Sequence, residues 1–226
     1  MSLAQLLRDG TSGSHTAAEN SAFIRCFMKG VLEPKSYAKH LESFYFVYSA
    51  LEEELEKKKN DVILGKIYFP ELNRKKQIEK DLAHFFPAGH VPVQSPAAKE
   101  YADRIRSIAN SQAPLLVAHS YVRYLGDLSG GQILKRVAAK ALGIEGTAGL
   151  DFYEFPEITS AKDFKDKYRK ALDELPLSDS ERNAIVEEAN AVFELNQKIF
   201  DELEDVLVSS IGKERFDEVL ASPARS

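Results

Sequence analysis

The chain has 226 residues, enough for one domain whose core can enclose a ligand. Its net charge of −5 gives no electrostatic footing for nucleic acid or an anionic membrane, and a hydrophobic fraction of 44% is ordinary for a soluble globular protein. The single cysteine, Cys26, excludes an internal disulfide and metal sites built on cysteine pairs. No window approaches the ~18 apolar residues that span a bilayer, and the N-terminus lacks the basic start and apolar run of a signal peptide, so a soluble, unanchored chain is expected.

Residues 3–20 read as a helix, weakened by Gly10 and Gly13 just before His15. A short helix over 22–30 ends on Gly30, suited to a helix C-terminus. Pro34 opens a long helix to Lys59, with Tyr37, Leu41, Phe44, Tyr45, Tyr48, Leu51 and Leu55 on its apolar face. Residues 63–69 are a short segment broken by Pro70, and 78–86 read as helix. Three prolines and a glycine make 87–96 a loop, and helix resumes over 97–109. Pro114 starts a long helix running to about Leu142, followed by an irregular, glycine-rich stretch to Phe155. Residues 160–172 read as helix, and Ser178 with Glu181 forms a capping box for the last long helix. The sum is an all-α chain of about eight helices. It reads as one domain over residues 1–226, with about 221–226 as a flexible tail.

The helix from Pro114 is the anomaly. Its flanks carry apolar residues at helical spacing, yet Gly126, Gly130 and Gly131 fall within six residues, each costing up to ~1 kcal/mol relative to alanine. The usual gain is close approach of backbone to another group, or a bend. Asp127 sits among them, a carboxylate in an otherwise apolar segment.

Residues 128–132, Leu-Ser-Gly-Gly-Gln, match the signature loop of ATP-binding-cassette ATPases. That loop works opposite a P-loop, and no G-x-x-x-x-G-K-[ST] or βα unit is present, so the match is coincidental. No strand precedes Gly126, which excludes a dinucleotide fingerprint. The five histidines are His15, His40, His84, His90 and His119, and no Glu-x-x-His pair exists to build a di-iron or zinc site. One histidine suffices as an axial haem ligand, because the porphyrin supplies the other donors. His15 shares a face with Ala18 and Ala22, where a flat ligand could come close, and Glu19 four residues on can reach its other ring nitrogen. The same pattern is met by a half-buried histidine in a helical ion pair. His119 and Asn196 read equally as hydrogen-bonded core residues. Lys162, Lys165, Lys167 and Arg169 form a cationic helix face, solvated or open to carboxylates.

Residues 118–132, Ala-His-Ser-Tyr-Val-Arg-Tyr-Leu-Gly-Asp-Leu-Ser-Gly-Gly-Gln, resemble the signature of the haem oxygenases. Residues 14–20, 47–54, 67–72, 165–169 and 187–196 extend the likeness over most of the chain, in detail most like the soluble cyanobacterial or plastid type. The resemblance implies a multi-helix bundle with haem b sandwiched between a proximal helix and a kinked distal one. His15 would ligate the iron, with Glu19 behind it. Gly126 and Gly130 would present bare backbone to the porphyrin. Asp127, with Tyr48 and Arg123, would order water beside the iron-bound oxygen. The products implied are biliverdin IXα, carbon monoxide and ferrous iron, formed from haem, O2 and electrons.

Arg8, Tyr121, Lys165 and Arg169 match the positions that hold the haem propionates, and Phe193, Asn196 and Phe200 would line the pocket. One position departs: Ser12 stands where many members have lysine, which removes or weakens one propionate contact. No flavin or iron–sulfur motif is present, so electrons must come from outside. The cyanobacterial likeness implies reduced ferredoxin docking on the patch of Lys162, Lys165, Lys167 and Arg169, with a downstream bilin reductase taking the product. A monomer in the bacterial cytosol or plastid stroma is expected. The alternatives are a haem carrier or sensor that leaves its ligand intact and an interaction protein without haem.

Overall fold

The computed structural model describes residues 1–222, so the expected tail at 223–226 lies outside it. Among the described residues the regular structure is helical throughout. The first helical stretch is divided in two: α1 (Leu3–Gly10) ends where the Thr11 hydroxyl bonds back to the Leu7 carbonyl at 2.7 Å, and α2 (Ser12–Glu19) follows it. Gly10 is not there to weaken a helix. A Cβ at this position would lie 2.6 Å from Val186 Cγ1, so the glycine lets α1 press against the last long helix.

Next come α3 (Ala22–Met28) and α4 (Pro34–Lys57), the latter opened by Pro34 and by the Ser36 hydroxyl accepting from the Glu33 amide at 3.3 Å. The expected apolar stripe of α4 is buried from Tyr37 to Leu55, except Tyr45, which is half-buried. A short α5 (Leu64–Ile67) leads to α6 (Lys75–Phe85), and Ser95 caps α7 (Pro96–Ser111). The glycine-interrupted stretch is four pieces in near-continuous helix: α8 (Leu116–Ser120), a π-helical turn (Tyr121–Leu125), α9 (Gly126–Ser129) and α10 (Gly131–Leu142). Then follow α11 (Ala161–Asp173) and α12 (Asp179–Ile211), the latter with the capping box of Ser178 and Glu181. A helix absent from the sequence reading, α13 (Lys213–Ala221), packs on α3. Arg25 donates at 2.8 Å to the carbonyls of Leu220 and Ser222, so residues 221 and 222 are held rather than loose.

At 33 residues, α12 is about 50 Å long and serves as the spine, packing on α1, α2, α3, α4, α7 and α8. One hydrophobic cluster runs through these contacts, that with α2 excepted. Its stabilisation is the usual burial of leucine, isoleucine and aromatic side chains, each about 1.5–3 kcal/mol.

Two buried charges in α6 and just before it hold a loop that matters for the site. Asp81 accepts the Asp151 and Phe152 amides at 2.8 and 2.7 Å. Arg74 donates to the carbonyls of Leu72 and Glu154 and lies 3.7 Å from the Phe155 ring centroid. Gly149 precedes this turn at φ +86, a conformation other residues resist, with the rings of His84 and Phe85 where a Cβ would stand.

Candidate active site

A cavity of about 1220 Å³ opens between α1–α3 on one side and residues 121–134 on the other. Side chains of α4 and α12 form its back, with Phe152 and Tyr153 from the loop held by Arg74 and Asp81. It exceeds the ~300–1,000 Å³ of an ordinary small-molecule site.

The floor is α2. His15 lines the cavity, with its ring 5.8 Å from that of Phe193 in an edge-on contact. Its Nδ1 lies 3.4 Å from Glu19 Oε2, which leaves Nε2 for another partner. The His15 side chain is 57% exposed, so this ion pair contributes little to stability and the ring is accessible.

The roof is the glycine segment. Gly126 and Gly130 both line the cavity in ordinary helical conformations, with φ of −61 and −68. Neither glycine is required by the backbone. Nor is either required by neighbouring protein: a Cβ at Gly126 would meet nothing within 4 Å, and at Gly130 only the Gly126 carbonyl at 3.7 Å. What the two glycines keep clear is the cavity itself. The loss of helix propensity is therefore tied to an occupant that comes close to bare backbone. Gly131 differs, since its Cβ would touch the Tyr153 ring at 3.4 Å. The π-helical turn widens the helix just before this segment, and such turns recur at functional sites.

Behind the roof lies a buried polar network. The Tyr48 hydroxyl donates to Asp127 Oδ2. Arg123 donates from Nε to the Tyr48 oxygen at 3.0 Å, from Nη1 to Asn196 Oδ1 at 2.7 Å and from Nη2 to Asp127 Oδ1 at 3.4 Å. Its guanidinium also stands 4.4 Å from the Phe44 ring centroid, a cation–π contact. Burial raises the Asp127 carboxyl above the usual carboxylate range, opposed by the Arg123 charge and the Tyr48 hydrogen bond. Burial likewise holds the Tyr48 hydroxyl protonated, well above the usual phenol value. Asp127 and Arg123 reach the cavity, whereas Tyr48 supports them from outside its lining.

Cationic and hydroxyl groups gather at one end. Arg8, Tyr121 and Arg169 line the mouth. Burial raises the Tyr121 hydroxyl, countered by the charges of Arg169 and Arg8. Lys165 is not in the lining; its Nζ donates to Ser129 Oγ at 3.2 Å on the edge of the roof. Ser12 does line the cavity, its hydroxyl turned to the Asp9 carbonyl at 3.1 Å. Asn196, Phe193 and Phe200 all line the back.

On α11 the expected cationic face is broken by acids. Arg169 bonds Asp166 at 2.8 Å, and Lys167 lies over the Phe69 and Phe164 rings at 4.5 and 5.0 Å. Lys162, Lys167, Arg169 and also Lys170 are exposed. His119 is a buried core residue, with Nε2 2.9 Å from Glu188, whose other oxygen bonds Arg104.

The sequence reading missed His40, Phe44, Phe152 and Tyr153 in the lining, and Arg74 and Asp81 behind it. The first two sit on an apolar stripe that reads as plain core. A charged residue at helical spacing with apolar neighbours was the available signal for Asp81. Among the described residues no group of three or more His, Cys, Asp or Glu side chains is placed to hold a metal ion, and no helix is long and apolar enough to cross a membrane.

A glycine-roofed cavity of this size in an all-helical bundle, with an accessible histidine on the floor and Arg8 and Arg169 at its mouth, is suited to a large anionic ligand. The chain belongs to the haem oxygenase family, whose model, described as Heme oxygenase, matches residues 1–202. It is 49% identical to Heme oxygenase 1 of Nostoc sp. over 95% of this chain and 91% of that one. The solved heme oxygenase from Leptospira interrogans is 56% identical, with a TM-score of 0.87 over 89% of this chain and all of that chain. Heme oxygenase-1 from Synechocystis sp., solved in complex with heme, is 48% identical with a TM-score of 0.92, covering 97% of this chain and all of that one.

Proposed function

We propose that this chain binds haem b in the glycine-roofed cavity and cleaves it with O2 at the α-meso carbon, releasing biliverdin IXα, carbon monoxide and ferrous iron. The observation that carries the reading is the roof, where two glycines leave open space and the buried carboxyl of Asp127 stands between them. A carrier needs the space but not the carboxyl.

Haem, when bound, supplies the iron that activates O2 and is itself the molecule oxidised. His15 Nε2 would ligate the iron, with Glu19 orienting the ring and raising its basicity. Arg8, Tyr121 and Arg169 would hold the propionates at the mouth, and Lys165, now bonded to Ser129, would join them. Phe193, Asn196 and Phe200 set the back of the site. Arg123 fixes Tyr48 and Asp127 in one geometry, and Asp127 hands protons through water at the roof. Burial raises this carboxyl above the range of a surface aspartate, so it holds a proton more readily than one does.

Electrons come from reduced ferredoxin, an acidic partner for the exposed cations of α11. The enzyme acts as a monomer, in the cytosol or the plastid stroma, and a bilin reductase consumes its product. Charge reversal at Lys162 and Lys167 should slow turnover with ferredoxin and leave turnover with a small reductant unchanged; equal loss with both would count against the dock.

The deciding experiment adds hemin, records the Soret band, then supplies reductant under air. Bleaching to a bilin spectrum is expected. A stable band would leave a carrier, and no band would leave neither. In Asp127→Ala, binding should persist while bilin formation falls at least a hundredfold.

A further inference from the structure

The cavity has two chemically distinct ends, and a ruler runs between them. α12 lies along the N-terminal helices: Val186 meets Gly10, Asn190 bonds Ser14, Phe193 meets His15, and Phe200 stacks on Phe23 at 5.9 Å. From Val186 to Phe200 is about 21 Å of helix. Arg8 and Tyr121 stand at the first end. His40 stands at the second, on the lining, ringed by Phe23, Phe27, Tyr37, Phe44 and Phe200 at centroid distances of 4.3 to 6.4 Å.

His40 is 3% exposed, and its Nδ1 is sealed from water without a hydrogen-bond partner. Among the described residues Nε2 finds no partner either, and it is not among the sealed atoms, so it is the nitrogen that meets the cavity. Burial and the Arg123 charge across the Phe44 ring push this imidazole down to about 3, which keeps it neutral, with one N–H and one lone pair. An apolar residue would fit this aromatic cage without the penalty of ~1–3 kcal/mol for a buried, unpartnered polar group. The occupant of the cavity is what can satisfy it.

In haem b the propionates flank one meso bridge, and the α-meso bridge lies diametrically opposite. With the propionates at the basic mouth, the α edge faces the aromatic end. Opening the ring there leaves a lactam oxygen on each of the two pyrroles that flanked the lost carbon. We propose that His40 is a product-recognition residue whose Nε2–H donates to a lactam oxygen of the bilin. This rests on the proposed α-meso cleavage. It gives the apolar end of the cavity a hydrogen bond for the oxygenated ring that unoxidised haem, carbon-edged on that side, cannot use.

The test measures dissociation constants of added biliverdin and added haem for the wild type, His40→Leu and His40→Gln, with apo melting temperatures as the folding control. His40→Leu should melt at or above the wild type and bind haem within twofold of it. Its biliverdin affinity should fall about 3- to 10-fold, the range of one neutral hydrogen bond, with recovery in His40→Gln. In the unmutated protein the His40 Nε2–H resonance should move downfield on adding biliverdin. Equal biliverdin affinity in wild type and His40→Leu, an equal loss for haem, or an unmoved resonance overturns the assignment. Because biliverdin is added rather than made, the result stands apart from turnover: a wild type that binds both ligands but never bleaches haem defeats the functional reading alone.

Discussion

The floor and the roof line the same cavity, yet they are anchored very differently. In α2 no residue is buried, and the ion-pair partner of His15, Glu19, is itself 65% exposed. Its cross-links to the rest of the protein are slight, chiefly Ser14 to Asn190. The roof carries Arg123, Asp127 and their partners from α4 and α12, buried and hydrogen-bonded to one another. The difference separates two tasks. A group that positions protons must be fixed before the substrate arrives, because misplacement by about 1 Å costs rate. A ligand-binding floor can take its final order from the substrate, which itself bridges floor and roof.

Removing the centre of the roof should have the largest effect. Arg123→Leu leaves the Asp127 carboxyl buried without its cation and should lower the unfolding free energy of the ligand-free protein by about 3–5 kcal/mol. Glu19→Gln on the floor should change it by less than about 0.5 kcal/mol. Urea denaturation of both variants measures the contrast; similar values for the two would erase the distinction.

Gly130→Leu sharpens it from the other side. The space above Gly130 is open, and leucine favours helix over glycine, so stability should hold or rise by up to ~1 kcal/mol. Haem binding should fall at least tenfold, read from a hemin titration. Lost stability with retained binding would mean that the glycine serves the fold.

The smallest effect concerns the loop behind the roof. Burial pushes the Asp81 carboxyl from 3.8 up to about 7, against the pull of the Phe152 and Asp151 amides. The folded state therefore holds this proton more tightly than the unfolded chain does. Stability from this group is greatest below pH ~4, declines as pH rises towards ~7 and is level above that. Asp81→Asn should flatten this slope, measured as urea midpoints between pH 5 and pH 8; an unchanged slope would assign it to other groups.

The helices were legible because their apolar spacing is local: α4 and α12 follow the periodicity from Tyr37 to Leu55 and from Ile185 to Leu207. The division at Thr11 and the helix α13 were not, since both depend on packing against α12 and α3. In the site, Asp127 and its glycines stood out as breaches of a helical pattern. His40 did not, because on α4 its spacing is that of a core residue and its cage is completed by α3 and α12. Arg74 and Asp81 find their partners only once the loop at 151–155 folds over them.

The sequence by itself determined the all-helical class, the breaks at Gly126 to Gly131 and the family likeness, all carried by residues near one another in the chain. Only the tertiary structure decided what the breaks are for. Tyr48 is 79 positions from Asp127 and Asn196 is 73 from Arg123, so their network exists only once α4, the roof and α12 meet. Whether a glycine yields to a neighbour or to an empty volume is likewise a matter of what lies opposite it. Here nothing of the protein lies within 4 Å of a Cβ at Gly126, and that clearance, set by long-range packing, makes an unstable stretch of helix into a roof.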